Sequence, residues 1–130
     1  RGRVLCLGAG PDVVLAQATQ ALAAGNAVVA VAVESRAALA PFAKAGLPVA
    51  ALEGQVAAAD LAALADLALV AARGPTDWLR TLRRALAARA GAIVPLETAL
   101  IAPERYCLER HLCIDTTAAG GNASLLAESA

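Results

Sequence analysis

The stretch RVLCLGAGPDVVLAQATQALAAGN, residues 3–26, reads as a strand, a glycine-rich turn and a helix. Residues 4–7 form a short apolar run, which is typical of a strand buried on both faces. After the turn, the carboxylate of Asp12 is placed to cap the first turn of the helix. The helix extends to about Ala24, and Gly25 follows where a left-handed residue commonly ends a helix. A strand that enters a helix through glycines is typical of the first unit of a nucleotide-binding βαβ fold.

The chain repeats this alternation as far as about residue 97. Gly46 and Pro48 mark the end of the second helix, as Gly25 does for the first. The patterns predict further strands at residues 27–33, 49–52, 67–72 and 93–96, and further helices at residues 35–45, 60–64 and 77–89, with Ser35 and Thr76 as N-caps. We therefore predict an α/β domain over residues 1–97, a Rossmann-like parallel sheet of about five strands with helices on both faces.

The helix at residues 77–89 has the clearest amphipathic pattern. Its apolar side chains recur at helical spacing on one face and comprise Trp78, Leu79, Leu82, Ala85 and Leu86. Arg80, Arg83 and Arg84 fall away from that face. Three arginines can bind phosphate, but a solvated helix face explains them better, because arginine is also a good helix former.

Composition excludes several classes of protein. The 130 residues carry 11 basic and 11 acidic side chains, so the chain has no net positive charge that would attract nucleic acid or a membrane surface. No apolar run approaches the ~20 residues of a membrane span, and no signal peptide is visible. Three cysteines at irregular spacing indicate neither a disulfide framework nor a zinc site, and we interpret them as small core residues of a cytoplasmic protein. Because the chain lacks Met and begins Arg-Gly-Arg, we expect it to belong to a longer polypeptide.

Beyond residue 97 the pattern changes. Residues 104–115 alternate apolar and polar side chains, which predicts a β-ribbon or flap, and residues 116–126 have neither helical nor strand periodicity. We therefore treat residues 98–130 as a second unit, a flap followed by an extended tail. A two-stranded ribbon is marginally stable alone, so we expect it to pair with another surface. In the isolated chain, its unpaired edge could drive self-association.

A few residues are candidates for a functional site. Gly8, Gly10 and Glu34 stand where a dinucleotide fold has its turn glycines and ribose-binding carboxylate, although Val13 replaces the third glycine. The two glycines can equally serve only to make a tight turn. His111 could form a dyad with a cysteine, Cys107 or Cys113, but no orienting group is evident, and we interpret it as an ordinary strand residue. The acidic residues show no metal-binding pattern.

The sequence resembles the aldehyde dehydrogenase superfamily in its first part. The resemblance rests on GRVLCLGAG at residues 2–10, ALAAGNAVVAVAVESR at residues 21–36 and RGPTD at residues 73–77. A more specific likeness lies in LERHLCIDTTAAGGNASLL, residues 108–126, which is similar to the C-terminal end of the proline utilisation A family. Members of that bacterial family combine a proline dehydrogenase with a glutamate-semialdehyde dehydrogenase.

Departures from the superfamily pattern imply a degenerate copy. Working members carry a lysine that holds the NAD ribose where this chain has Val31, and they carry an oxyanion-hole asparagine in the loop that is shortened here to residues 8–12. The catalytic cysteine belongs to a segment that this chain lacks. An aldehyde dehydrogenase needs all three of these elements. The resemblance therefore implies a domain without catalytic, cofactor-binding or metal-binding residues, in a parent enzyme that uses FAD and NAD.

The resemblance also implies a role for the tail. In longer members of the family, a non-catalytic C-terminal domain packs its ribbon on the working dehydrogenase domain of the same polypeptide, and its final segment helps cover the tunnel that carries the reaction intermediate. Carried onto this chain, the residues expected to cover the tunnel are Thr116, Thr117, Gly120, Gly121, Asn122 and Ser124. A residual nucleotide-binding or regulatory module that uses residues 8–12 and the helix N-terminus is the alternative.

Overall fold

The computed structural model describes residues 2–108. The ribbon residues after Leu108 and the tail residues Thr116, Thr117, Gly120, Gly121, Asn122 and Ser124 lie outside this range, as do His111 and Cys113. The expectations for these residues therefore stay predictions.

Five strands and three α-helices alternate along the described chain. They are β1 (Arg3–Gly8), α1 (Pro11–Ala23), β2 (Ala27–Val31), α2 (Ser35–Lys44), β3 (Val49–Leu52), β4 (Leu67–Arg73), α3 (Thr76–Ala87) and β5 (Leu96–Glu97). Two 3₁₀ helices, Ala58–Ala62 and Pro103–Tyr106, complete the order. None of the helices within residues 2–108 is long and apolar enough to cross a membrane.

The strands form a single sheet in the order β3-β2-β1-β4-β5, and every neighbouring pair is parallel. This confirms the predicted α/β fold with a five-stranded parallel sheet. The chain runs outward from β1 to β3 and then crosses back to β4, so the strand order reverses between β1 and β4. In open α/β sheets, ligands bind outside the carboxyl ends of the strands at such a reversal.

The two faces of the sheet bury separate apolar clusters. Along β1, Val4 and Cys6 face the cluster that also contains residues of α1 and α2, while Leu5 and Leu7 face the cluster that contains residues of α3. This alternation follows from the two-residue period of a strand. Because both faces are covered, β1 needs the continuous apolar sequence that it has.

Glycines end the first two helices as the sequence predicts. Gly25 and Gly46 take φ angles of 78° and 75°, which glycine adopts without a steric penalty. After α1, the N–H groups of Gly25 and Asn26 donate to the carbonyls of Leu22 and Ala21, and α2 ends in the same way. Both ends are Schellman motifs.

The predicted N-caps are each wrong by one or two residues. The N-caps of α1, α2 and α3 are Gly10, Glu34 and Pro75, and none of them caps through its side chain. Asp12 lies in the first turn of α1 because Pro11, with its fixed φ, already begins the helix. Ser35 is the first residue of α2, and its hydroxyl donates instead to the Leu52 carbonyl. Thr76 likewise is the first residue of α3.

Other boundaries also differ from the prediction. β2 ends at Val31 rather than residue 33, because Glu34 turns the chain with a φ of 60°. The segment predicted as a short helix at residues 60–64 is the 3₁₀ helix Ala58–Ala62, and α3 ends at Ala87 rather than residue 89. The last strand was predicted at residues 93–96, but Ile93 is 94% exposed and pairing with β4 begins at Leu96.

The segment after β5 returns to α1 instead of beginning a ribbon. Residues 104–108 were predicted to alternate as a strand, but Pro103–Tyr106 is a 3₁₀ helix whose Tyr106 side chain is buried in the cluster with Cys6. Because the backbone of Pro103–Tyr106 is helical, its side chains do not alternate between two faces as those of a ribbon strand do. The prediction of a ribbon is therefore wrong for this part of the segment.

Candidate functional site

A cleft of about 300 Å³ lies at the reversal of strand order, at the carboxyl ends of β1 and β4. Its walls come from the loop after β1, the segment after β3 and the start of α3. The lining residues are Gly8, Ala9, Gln55, Val56, Arg73, Gly74, Pro75 and Trp78. Of the three candidate residues for a dinucleotide site, Gly8 lines this cleft, whereas Gly10 and Glu34 are not among its lining residues.

The loop after β1 is shaped by packing between Gly8 and Val13. A Cβ atom added to Gly8 would lie 2.7 Å from Cγ1 of Val13, so the valine side chain occupies the space that a larger residue would need. A Cβ added to Gly10 would meet nothing within 4 Å. Gly8 therefore serves close helix–strand packing in this structure, which is one of the roles of glycines in such turns.

The N-terminus of α1 is poorly suited to an anion. Pro11, the first residue of the helix, has no N–H group to offer a phosphate, and Asp12 places a carboxylate in the same turn. Helix N-termini bind phosphate through free N–H groups and a favourable dipole. Here one donor is missing and a negative charge is already present.

The N-terminus of α2 is occupied by a carboxylate from another strand end. Glu53, directly after β3, accepts hydrogen bonds from the N–H groups of Glu34 at 2.7 Å and Arg36 at 3.0 Å. Glu53 thus caps α2 from a distance in sequence, which no local pattern revealed. Glu34 itself is exposed, in a left-handed conformation at the end of the turn. Two carboxylates therefore lie where a dinucleotide fold presents one to a ribose.

The start of α3 forms the remaining wall. A Cβ on Gly74 would lie 2.7 Å from the indole of Trp78, so this glycine allows the ring to lie against the backbone. Asp77 is in the first turn and forms an exposed ion pair with Arg80 at 2.9 Å. The guanidinium of Arg73 is exposed and has no hydrogen-bond or ion-pair partner within residues 2–108.

The residues present do not fit NAD. Each of the three helix N-termini at this end of the sheet carries a carboxylate of the chain itself, from Asp12, Glu53 and Asp77. Val31, at the position where the resemblance expects a ribose-binding lysine, is 9% exposed and packs in the cluster beneath α3. An aliphatic side chain in the core cannot hydrogen-bond a ribose.

The two cysteines in the described range differ in environment. Cys6 is buried in β1, as predicted, and burial raises the pKa of its thiol to about 12. Cys107 is exposed, which makes its interpretation as a core residue wrong. Between residues 2 and 108, no three His, Cys, Asp or Glu side chains are grouped so that they could hold a metal ion.

Polar side chains at the opposite end of the sheet hold the segment that follows β5. Asn26 donates to the carbonyls of Ala21 at 3.1 Å and Tyr106 at 2.8 Å, and it accepts from the N–H of Gly2 at 3.2 Å. Gln20 donates to the Leu100 carbonyl and accepts from the Ala102 N–H, both at 2.8 Å. Sequence reasoning missed both residues, because their partners lie about 80 positions away.

Glu97 organises the start of the same segment. Its carboxylate accepts from the N–H groups of Thr98 and Ala99 at 2.8 and 2.7 Å, and from Nε of Arg105 at 3.1 Å. Burial alone would raise the pKa of Glu97, but these three hydrogen bonds and the Arg105 charge outweigh it and lower the pKa. Burial is the main cause that raises the pKa of Tyr106 above its ordinary value.

The chain is homologous over part of its length to bacterial PutA proteins. The bifunctional protein PutA of Salmonella typhimurium is 48% identical over 58 residues, which are 41% of this chain and 4% of that protein. The bifunctional protein PutA of Escherichia coli is 47% identical over the same length. No protein-family model matches the sequence.

Solved structures show the same relationship. A variant of Bradyrhizobium japonicum proline utilization A superimposes with a TM-score of 0.65 at 36% identity, covering 74% of this chain and 11% of that one. A structure of a bifunctional proline utilization A protein gives the same values. The chain thus corresponds to a small part of much longer relatives.

Proposed function

We propose that the chain is a non-catalytic, aldehyde-dehydrogenase-like domain of a bifunctional enzyme that oxidises proline to glutamate. In this proposal it stabilises the dehydrogenase domain of its own polypeptide and helps cover the tunnel through which the intermediate passes. The partial homology to PutA supports the enzyme class. The parent enzyme would use FAD and NAD, neither of them bound by this domain, and would act in the cytoplasm.

The observation that carries the proposal is that the helix N-termini at the carboxyl ends of the strands are poorly suited to a pyrophosphate. A working NAD site offers helix N–H groups to a pyrophosphate and a polar side chain to a ribose. At the carboxyl end of this sheet, α1 instead begins with Pro11, the N-terminus of α2 is already capped by Glu53, and Val31 is buried. These features favour a domain that retains the fold without the cofactor chemistry.

The departure point of the tail supports an interaction role. Leu108 lines the same small cavity as Gly2, directly before β1, and Ala68, the second residue of β4, so the described chain ends at the amino end of the sheet. That end is opposite the cleft. We propose that the residues beyond Leu108 act on the dehydrogenase domain, with Thr116, Thr117, Gly120, Gly121, Asn122 and Ser124 making close backbone and small-side-chain contacts over the tunnel.

Calorimetric titration of NAD into the 130-residue chain tests the cofactor part of the proposal. We expect no binding at millimolar NAD, because the carboxylates at the three helix N-termini repel the pyrophosphate. Titration of Glu53→Gln is the informative companion, since it removes one of these charges without removing side-chain volume. Micromolar binding by the unsubstituted chain would contradict the proposal.

Substitutions in the tail test the covering role in the full-length enzyme. Gly120→Leu and Gly121→Leu should lower dehydrogenase activity and the coupled conversion of proline to glutamate, because the added side chains prevent close backbone approach. Proline oxidation should stay largely intact. Ala127→Leu, outside the proposed covering segment, adds comparable bulk and serves as the control. Coupled activity equal to that of the unsubstituted enzyme would argue against a covering role.

A residual nucleotide-binding or regulatory module is the alternative function. One observation favours it, the exposed guanidinium of Arg73 at the cleft, which could meet a phosphate. If NAD or another nucleotide does bind, Arg73→Gln should abolish the binding, and the cleft would then be a regulatory site.

A further inference from the structure

One face of the sheet is left uncovered at β3 by the short connection between β3 and β4. That connection contains only the 3₁₀ helix Ala58–Ala62, which packs next to α3 rather than over β3. Ala50 and Leu52 are in register with Val29 and Val31, so their side chains share the face of the sheet that α3 covers farther along. Both are exposed, and Leu52 is 49% exposed.

The backbone of β3 is also open along its outer edge. The carbonyls of Pro48 and Leu52 accept hydrogen bonds from Val28 in β2 and from Ala32 just after it, so by strand alternation the backbone groups of Val49 and Ala51 point outward. The N–H of Val49 donates locally to Leu47. The Ala51 N–H and the carbonyls of Val49 and Ala51 are therefore unpaired within the described chain. Exposed edges are usually protected by charge, proline or a bulge; the four residues of β3, VAAL, contain none of these, and Pro48 and Glu53 stand only at its two ends.

We propose that β3 pairs with β3 of a second copy of this chain, in antiparallel orientation, to continue the sheet across a twofold axis. The edge is self-complementary. The Ala51 N–H and the Val49 carbonyl lie two residues apart, so a strand turned through 180° presents the matching acceptor and donor. In this register, Ala50 lies opposite the same residue of the second copy. Such an isologous contact is the commonest way in which identical chains associate.

Charge and apolar surface agree with this orientation. Glu53 follows the carboxyl end of β3, and Lys44 ends the helix that leads to its amino end. Antiparallel pairing brings the end of β3 that Glu53 follows to the end that Lys44 precedes in the second copy, so opposite charges lie at the same end of the paired edge. Leu47 and Leu52, both substantially exposed, flank the pairing edge. A strand of four residues supplies few hydrogen bonds, so we expect a dimer that forms at micromolar or higher concentrations.

Sedimentation velocity of the 130-residue chain over a concentration series tests the proposal. The unsubstituted chain should associate reversibly. Ala50→Lys and Ala50→Glu should each weaken the dimer at least ~10-fold, because like charges would stand directly opposite each other. An equimolar mixture of the two variants should restore association through the opposite charges. Ala23→Lys, which adds the same charge at an exposed position of α1, should associate as the unsubstituted chain does.

The mixture distinguishes lost pairing from lost folding, since a misfolded variant would not be rescued by its partner. Absence of rescue, or association of Ala50→Lys at normal strength, would overturn the proposal. A dimer weakened by Ile114→Lys but not by the Ala50 variants would assign association to the ribbon residues instead. A monomer at ~500 μM would also overturn it.

Discussion

The carboxylate of Glu53 lies 2.7 Å from the backbone nitrogen of Glu34, so an acidic side chain from the end of β3 caps the helix that follows β2. The cap satisfies donors that a nucleotide would otherwise use, and it links the ends of two neighbouring strands. A helix end that is satisfied within the chain has less to gain from an external anion.

Removing this cap should destabilise the domain. Glu53→Ala frees the N–H groups of Glu34 and Arg36, and the loss of a cap typically costs about 0.5–2 kcal/mol. Urea unfolding followed by circular dichroism measures the difference in free energy. Glu104→Ala is the matched control, because its exposed carboxylate has no partner among residues 2–108. Equal stability of both variants would show that the Glu53 hydrogen bonds contribute nothing.

Substitution of Asn26 should lower the stability of the domain more than substitution of most other polar residues. Asn26 is buried and bonds Gly2, Ala21 and Tyr106, so Asn26→Ala leaves several of their polar groups without partners. The cost of burying such unpaired groups is roughly 1–3 kcal/mol. Asn26→Asp keeps the acceptor for Gly2 but loses both donated bonds, and should also be destabilised. Thermal unfolding of both variants checks this, and an unchanged midpoint for Asn26→Ala would contradict the observed bonding.

The Glu97 carboxylate should make stability depend on pH below its ordinary pKa of 4.5. The folded state lowers the pKa, so its contribution is fully present above pH 4.5 and is lost as pH falls through the lower folded value. Glu97→Gln should therefore be less stable than the unsubstituted chain at pH 7, with the difference shrinking toward acid. Urea unfolding at several pH values measures it. A difference in stability that stays constant across this pH range would show that the ionised Glu97 carboxylate is not stabilised by the hydrogen bonds from Thr98, Ala99 and Arg105.

Cys107 and Cys6 should differ strongly in reactivity. The pKa of Cys6 is raised from 9.0 to about 12 by burial. At neutral pH this leaves ~10³-fold less thiolate than an ordinary thiol has. Brief treatment with iodoacetamide, followed by peptide mass spectrometry, should find Cys107 alkylated and Cys6 unmodified. In urea both should react, and rapid labelling of Cys6 in the folded protein would show that β1 is not buried as described.

Much of the fold can be predicted because it depends on local patterns. Apolar runs identify the strands, and Gly25 and Gly46 identify helix ends, since each signal lies within a few residues of its effect. N-caps were less certain, because Asp12, Ser35 and Thr76 are all good capping types and the true boundary depends on where the chain enters the sheet. In residues 104–108, the short alternation of apolar and polar side chains did not distinguish a strand from the 3₁₀ helix that Tyr106 anchors in the core.

The candidate site was harder to predict. The glycines after β1 pointed to the correct loop, but the decisive groups lie elsewhere in the sequence. Glu53 reaches α2 from a different strand, and Gln20 and Asn26 meet partners about 80 residues away. Periodicity and motif spacing describe neighbours along the chain, whereas these contacts depend on how the elements pack.

The hydrogen bonds of Asn26 also have a mechanical consequence. One side chain joins Gly2, before the first strand, to Tyr106, near the last described residue. A force that pulls residues 2 and 108 apart would therefore act first on these bonds and on the 3₁₀ helix at Tyr106, before it reached the hydrogen bonds between the strands. Asn26 therefore links the two ends of the described chain. Under tension from neighbouring parts of a longer polypeptide, the segment around Tyr106 would separate from Asn26 while the sheet stayed intact.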